Sequence, residues 1–373
     1  THYNLGNTLR ELGRLEEAES RFTQALTLKP DHAEAYSNLG VTLQDLGRLD
    51  EAAASYNQAI TFKPDYTEAM INLSINLGYM DAREAEICVL QKVSQIGTDS
   101  QRLIAGVNLA ICSFLRGEFS ESKKYLLGAA KIHKKNCTKY LDQKVYQKYL
   151  LDILKWRENH EFDNDLKKTE KNLYIIGDSH SLESHHLCIS RSGVSFFGMA
   201  KLIRGCKQWH LGNTARNQYK YQFEAVFHAL PKSSEVLLTV GEIDCRLDSG
   251  IIEHKNKNPN KEIKEIITIT VENYLAYISK NNSICQHNIF IQGVPCPNIK
   301  NSRCREEEFM QLVEVINLFN CQLKAKSIET GFGFLDVHKL TNKGDGLSNN
   351  IWHIDSYHLT PDGIFEAWRR HVY

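Results

Sequence analysis

Residues 4–30 read NLGNTLRELGRLEEAESRFTQALTLKP, and residues 38–64 read NLGVTLQDLGRLDEAAASYNQAITFKP. Leu5, Gly6, Gly13, Ala18, Ala25 and Pro30 return as Leu39, Gly40, Gly47, Ala52, Ala59 and Pro64, each 34 positions later. A fixed period of this size means a stack of small supersecondary units, because one unit cannot bury its apolar face alone. Gly6 and Ala18 fall where the first helix of a pair meets the second, and larger side chains there would push the axes apart. Phe22 and Tyr56 are the bulky residues at the matching position of the second helix. Pro30 and Pro64 end that helix, since proline lacks an amide donor and disfavours helix in the residue before it.

The period, the small residues at these offsets and the closing proline resemble the tetratricopeptide repeat. A third unit begins with Met70, Leu73 and Ser74; a fourth carries Leu109, Ala110, Gly117, Phe119, Ser122, Leu126 and Ala129. The pattern is strong over 3–66 and degenerate afterwards, so a repeat array is expected over 1–135, with further repeats upstream of Thr1. The apolar spacing of Tyr140 to Trp156 predicts a capping helix, and polar residues 159–171 a linker, so 136–170 separates the array from the C-terminal half of the chain. The resemblance implies that the array binds a protein or peptide.

Composition narrows the remaining classes. Lys plus Arg equals Asp plus Glu at 45 each, and nothing in that balance asks for nucleic acid. No run of eighteen apolar residues suggests a membrane span. The 10 cysteines are scattered without a Cys-x-x-Cys pair, which points to reduced thiols, a cytoplasmic location and no metal site or cofactor.

Beyond residue 171 the periodicity changes. Leu173–Ile176, Val194–Phe197, Val236–Val240, Ile289–Gln292 and Phe332–Val337 read as strands, with helices over 263–280, 305–329 and 361–371. Alternating strand and helix predicts a parallel sheet covered on both sides, with ligands beyond the carboxyl ends of the strands. Residues 254–264, rich in Lys and Asn, read as a polar loop, and Lys131, His133, Lys134 and Lys135 as a solvated basic helix end. His185 and His186, on a helix expected after Ser179, would face different ways and make a poor metal site.

Three short motifs stand at the expected places. Gly177-Asp178-Ser179-His180 follows the first strand; Gly241-Glu242-Ile243-Asp244-Cys245-Arg246 follows the third; Asp355-Ser356-Tyr357-His358 precedes the last helix. A serine hydroxyl is a poor nucleophile until a base takes its proton, and a histidine oriented by a carboxylate is such a base. In this order the motifs resemble the SGNH hydrolase, or GDSL esterase/lipase-like, family over 171–373. That resemblance implies a flavodoxin-like three-layer sandwich and an acyl-enzyme on Ser179, with His358 as general base and Asp355 orienting it. The Ser179 amide, at the start of the expected helix, would help stabilise an oxyanion.

The family completes its oxyanion hole with a glycine and with the Asn of Gly-x-Asn-Asp. Gly212, beside Asn213, is the glycine candidate, with Gly205 and Gly198 as competitors. At the Asn position stands Ile243, which has no side-chain donor; Asn213 and Arg246 are the candidate substitutes. Asp178, Glu242, Asp244 and Arg246 form the candidate pocket rim, the last three on one face if the segment continues as a strand. The family's usual Leu is replaced by His180, a variant that resembles domains acting on O-acylated carbohydrate. The chain is therefore expected to be a serine-dependent ester hydrolase, or related acyltransferase, on an acyl-ester substrate. The alternative is a repeat-based interaction module with a catalytically degenerate SGNH domain, motivated by Ile243.

Overall fold

The structure, a computed structural model, describes residues 1–133, 141–160, 171–191, 193–298 and 305–371. Most of the expected linker, together with Lys134, Lys135, Cys137 and Cys304, lies outside the described residues. The chain divides into two compact units, Thr1–Leu151 with Ala215–Ala225, and Asp152–Thr214 with Val226–Tyr373.

The first unit opens with four helix pairs: α1 (His2–Glu11) with α2 (Leu15–Leu28), α3 (Ala33–Asp45) with α4 (Leu49–Phe62), α5 (Thr67–Tyr79) with α6 (Arg83–Ile96), and α7 (Asp99–Leu115) with α8 (Phe119–His133). Helix α9 spans Leu141–Glu158. Small-against-large packing sets each pair. A Cβ on Gly6 would lie 2.7 Å from the Phe22 ring, and one on Gly40 2.6 Å from the Tyr56 ring. At the same offsets the third and fourth pairs carry Ser74 with Leu90 and Ala110 with Leu126, all buried. The small position grows as the large one shrinks, which conserves volume at close packing.

Gly13, Gly47 and Gly117 take positive φ at the turns inside the first, second and fourth pairs, and Asp81 takes φ 55° in the third. An aspartate tolerates the left-handed region better than most residues, so the degenerate unit keeps its turn. Pro30 and Pro64 stand two residues past α2 and α4. The third pair ends without proline; instead Thr98 and Gln101 form a reciprocal cap that starts α7. Between pairs, Asn38 Nδ2 donates to Asn7 Oδ1 (2.8 Å) and Asn76 Nδ2 to the Leu49 carbonyl (2.8 Å). The stretch Ala215–Ala225 belongs to this unit: Tyr221 and Gln218 hydrogen-bond Asp50 and Gln44.

The second unit is a six-stranded mixed sheet with helices. Its strands are β1 (Lys171–Gly177), β2 (Cys188–Arg191), β3 (Val194–Leu202), β4 (Glu235–Thr239), β5 (Asn288–Gln292) and β6 (Gly333–Leu335), in spatial order β2-β3-β1-β4-β5-β6. Every neighbouring pair is parallel except β2 with β3. The expected all-parallel sheet is therefore corrected at one edge. Strand β2 is four residues long and its inward positions are Ile189 and Arg191, too short and too polar to signal a strand. Arg191 is nonetheless buried, paired with Glu235 (2.9 Å) and lying 4.5 Å from the Phe290 ring centroid.

The remaining helices are α10 (Gln208–Gly212), α11 (Gln218–His228), α12 (Ile251–Lys257), α13 (Ile263–Cys285), α14 (Glu306–Glu329), α15 (Val337–Thr341) and α16 (Pro361–Arg370). Consecutive residues Val236, Leu237 and Leu238 are all buried, as a strand covered on both faces requires. Leu173, Ile175, Leu237, Phe290 and Leu335 share one core with Leu340, Ile364 and Trp368 of α15 and α16. No described helix is long and apolar enough to cross a membrane.

Candidate active site

Strand β1 ends at Gly177, where any Cβ would collide with Thr239 at the end of β4. The backbone then turns sharply. Asp178 Oδ1 accepts from the His180 amide (3.0 Å) and caps a 3-10 turn over Ser179–Leu182. The α-helix expected after Ser179 is absent: this one turn leads to edge strand β2. The Ser179 amide therefore has no long helix dipole behind it. His185 and His186 lie beyond the turn with their rings stacked at 4.1 Å, and His185 Nδ1 accepts from the Ala200 amide.

The second half of the site comes from the loop before α16. Asp355 Oδ1 accepts from the amides of Tyr357 (2.8 Å) and His358 (2.7 Å), folding the motif into a tight turn. Its Oδ2 meets His358 Nδ1 at 2.7 Å, and His358 Nε2 meets Ser179 Oγ at 2.7 Å. Residues 179 positions apart in sequence thus form a continuous relay. With Asp355 holding Nδ1–H, Nε2 is the lone-pair nitrogen facing the hydroxyl. Burial favours the protonated form of Asp355, yet the hydrogen bonds from His358 hold its carboxyl well below the usual range.

Two further residues fix this loop. The buried Glu183 accepts from the Leu359 amide (2.9 Å), and Asn298 Nδ2 donates to the Asp355 carbonyl (3.1 Å). Sequence reasoning missed both. Glu183 lies four residues past Ser179 and could have been weighed for that spacing; Asn298 carries no signal. Burial pushes the Glu183 carboxyl up to about 8 despite His180 nearby and the Leu359 amide, and its second oxygen has no hydrogen-bond partner among the described residues.

His180 has a defined place. Its Nδ1 lies 2.8 Å from Asp178 Oδ1, and its ring centroid 4.6 Å from that of His358. Burial opposes charge on the imidazole, but the Asp178 carboxylate outweighs it and raises the pKa, so the two form a buried ion pair. Asp178, His180 and Glu242 place possible ligand atoms within 4.8 Å of one another. Their chemistry suits a cation poorly, because an imidazolium has no free lone pair and both Glu242 oxygens are bound by Arg246 at 2.6 and 2.9 Å.

The candidate rim does not share one face. Ile243–Cys245 form a 3-10 turn, not a strand, so alternation does not apply. Glu242 and Arg246 pair across it, with the guanidinium 5.1 Å from the Tyr357 ring centroid. Asp244 turns the other way and is buried, accepting from the amides of Gln208 (2.7 Å) and Trp209 (3.2 Å) at the start of α10. Gly212 closes α10, and a Cβ there would lie 2.9 Å from Asn273 and the Tyr274 amide of α13. The Asn213 amide donates to the Trp209 carbonyl (3.0 Å). Gly212 therefore has a packing reason of its own. Gly205 stands just past the carboxyl end of β3 with φ 69°, whereas Gly198 lies within β3.

Residues 3–67 match the tetratricopeptide repeat family. The N-terminal part of the chain is a tetratricopeptide repeat array, and such an array is a protein-interaction module. No curated protein matches the chain. Among solved structures it is similar to MamA, at 18% identity over 41% of this chain and 84% of that one, TM-score 0.36. YrrB, described as a tetratricopeptide repeat protein with an unusual peptide-binding site, is 17% identical over 43% of this chain and 78% of that one, TM-score 0.36. A repeat protein from Parabacteroides merdae is 13% identical over 85% and 83%, TM-score 0.36.

Proposed function

We propose that the repeats hold a protein or peptide partner and that the sheet unit is a serine-dependent acyl-ester hydrolase of the SGNH type. The binding half rests on the repeat match. The hydrolytic half rests on one observation, the hydrogen-bonded relay Ser179–His358–Asp355 at 2.7 Å in both links. The strand order supports it: counted along the chain, the five parallel strands lie in the order second, first, third, fourth, fifth, which is the flavodoxin-like winding. The triad stands beyond the carboxyl ends of those strands, where such folds bind ligands.

In this reading His358 Nε2 takes the Ser179 proton as Oγ attacks the ester carbonyl, and Asp355 stabilises the imidazolium. The same proton then passes to the leaving alcohol, leaving an acyl group on Oγ, and water reverses the sequence. The oxyanion falls to backbone donors, the Ser179 amide and the glycine Gly205 or Gly212, because Ile243 contributes none. Loss of one donor costs about 10²–10³ in rate, so turnover is expected to be slow. O-acylated carbohydrate remains the proposed substrate class, resting on His180 alone.

Ile243 also favours the second reading, in which the sheet unit binds without turning over. Fluorophosphonate labelling of the wild type, Ser179→Ala and His358→Ala separates the two. Labelling lost in both variants supports the hydrolase. A folded wild type that takes no label supports the binding module, and a labelled Ser179→Ala overturns the nucleophile assignment.

A further inference from the structure

A cavity of about 370 Å³ opens between α10, α12 and α13, lined by Lys207, Trp209 and Ile269 among others. The size is that of a small-molecule site. Its apolar side is open to solvent: Trp209 is 50% exposed and Ile269 48%, over the buried Ile251 and Ile266, and the Trp209 ring meets the His210 ring edge-on at 5.5 Å. An indole half in water at a cavity wall offers a flat face for stacking.

The wall that carries Trp209 is built to hold still. Asp244 pins the start of α10 through the Gln208 and Trp209 amides, and Gly212 lets its end sit directly on α13. The opposite wall is α12, whose second half takes up the start of the 254–264 stretch expected as a polar loop.

The polar lining carries both signs, with a positive excess. Lys257 is matched by Glu253 at 2.6 Å. Lys207 and Lys261 have no carboxylate within ion-pair distance among the described residues; Lys261 Nζ reaches only His254, at 3.4 Å. Burial and the neighbouring Lys207 hold His210 at about 4, so it stays neutral and contributes neither sign. Even with Asp244 ionised beneath the floor, the ammonium groups outnumber the carboxylates.

We infer that this cavity binds a small organic carboxylate whose flat apolar body lies on Trp209 and whose charge is met by Lys207 and Lys261. The site requires no turnover at Ser179, so it stands or falls apart from the hydrolase reading. The test titrates the full chain with 2-naphthoate and with its uncharged counterpart, 2-naphthalenemethanol, by calorimetry. Naphthoate is expected to bind saturably and about tenfold tighter than the alcohol at low salt, the preference shrinking in about 0.5 M salt. Lys207→Gln with Lys261→Gln should abolish the preference while leaving alcohol binding in place, and Trp209→Ala should weaken both ligands. Equal affinity for the two ligands on wild-type protein, or no saturable binding of naphthoate, overturns the proposal without recourse to any variant. Binding that survives all three substitutions overturns it as well.

Discussion

Replacing Gly40 by Ala should destabilise the second repeat even though alanine is the better helix former. The propensity gain in mid-helix is about 1 kcal/mol. Against it, the new Cβ would lie 2.6, 2.7 and 2.9 Å from three atoms of the Tyr56 ring. Carbon atoms at rest sit about 3.5–4.0 Å apart, so the ring must move by about 1 Å. Tyr56 is fully buried, so that shift is resisted from every side. Overpacking of this kind costs about 1–3 kcal/mol, and here the upper half applies, leaving a net loss of about 1–2 kcal/mol. The third and fourth repeats suggest the cure, since Ser74 and Ala110 stand opposite leucines at the same spacing. Tyr56→Leu alone opens a cavity and also destabilises. The double variant should recover about 1–2 kcal/mol relative to the sum of the single changes.

The assay must see the repeats. All 4 tryptophans, at 156, 209, 352 and 368, lie outside the repeat unit, so their fluorescence would miss the effect. Amide hydrogen exchange in α3 and α4 of the full chain reads it directly, with a tenfold loss of protection for each ~1.4 kcal/mol. Gly40→Ala protection equal to or above wild type would refute the packing argument. So would a cycle that is additive within about 0.3–0.5 kcal/mol.

Two further outcomes concern the sheet unit, where tryptophan fluorescence is the right probe. Burial holds the Glu183 carboxyl up to about 8, above its unfolded value near ~4.3, so the native state keeps that proton longer. Its contribution to stability is therefore full at acid pH and declines as pH rises from about 4 towards 8, by at most ~1.4 kcal/mol per pH unit. Glu183→Gln keeps an acceptor for the Leu359 amide and should flatten that decline in urea unfolding at pH 5, 6.5 and 8 (about these values); an unchanged slope refutes the assignment. Arg191→Lys should cost about 1–3 kcal/mol although charge is kept, because an ammonium cannot stack on Phe196, Phe290 and Trp368 while pairing with Glu235. A loss below about 0.5 kcal/mol would mean that the ion pair alone matters.

The repeats were legible because their information is local. A 34-residue period, a glycine facing an aromatic residue in the first two pairs and a proline past α2 and α4 are all visible along the chain, and a solenoid's contacts run between neighbours. Most strands were legible for a related reason: buried parallel strands are short apolar runs with punctuation at both ends. Edge strand β2 was not, because it is four residues long and one of its two inward side chains is Arg191, whose burial depends on rings from β3, β5 and α16.

Within the site, residue types and order pointed to Ser179, Asp355 and His358, and the turn that joins Asp355 to His358 follows from their spacing of three. What only tertiary structure decided is the meeting of Nε2 with Oγ across 179 positions, the Glu183 clamp on Leu359, and the two different directions taken by Glu242 and Asp244. Periodicity is a property of the chain and survives in the sequence. A hydrogen bond between distant loops depends on how the sheet brings strand ends together, and no window of sequence contains both partners.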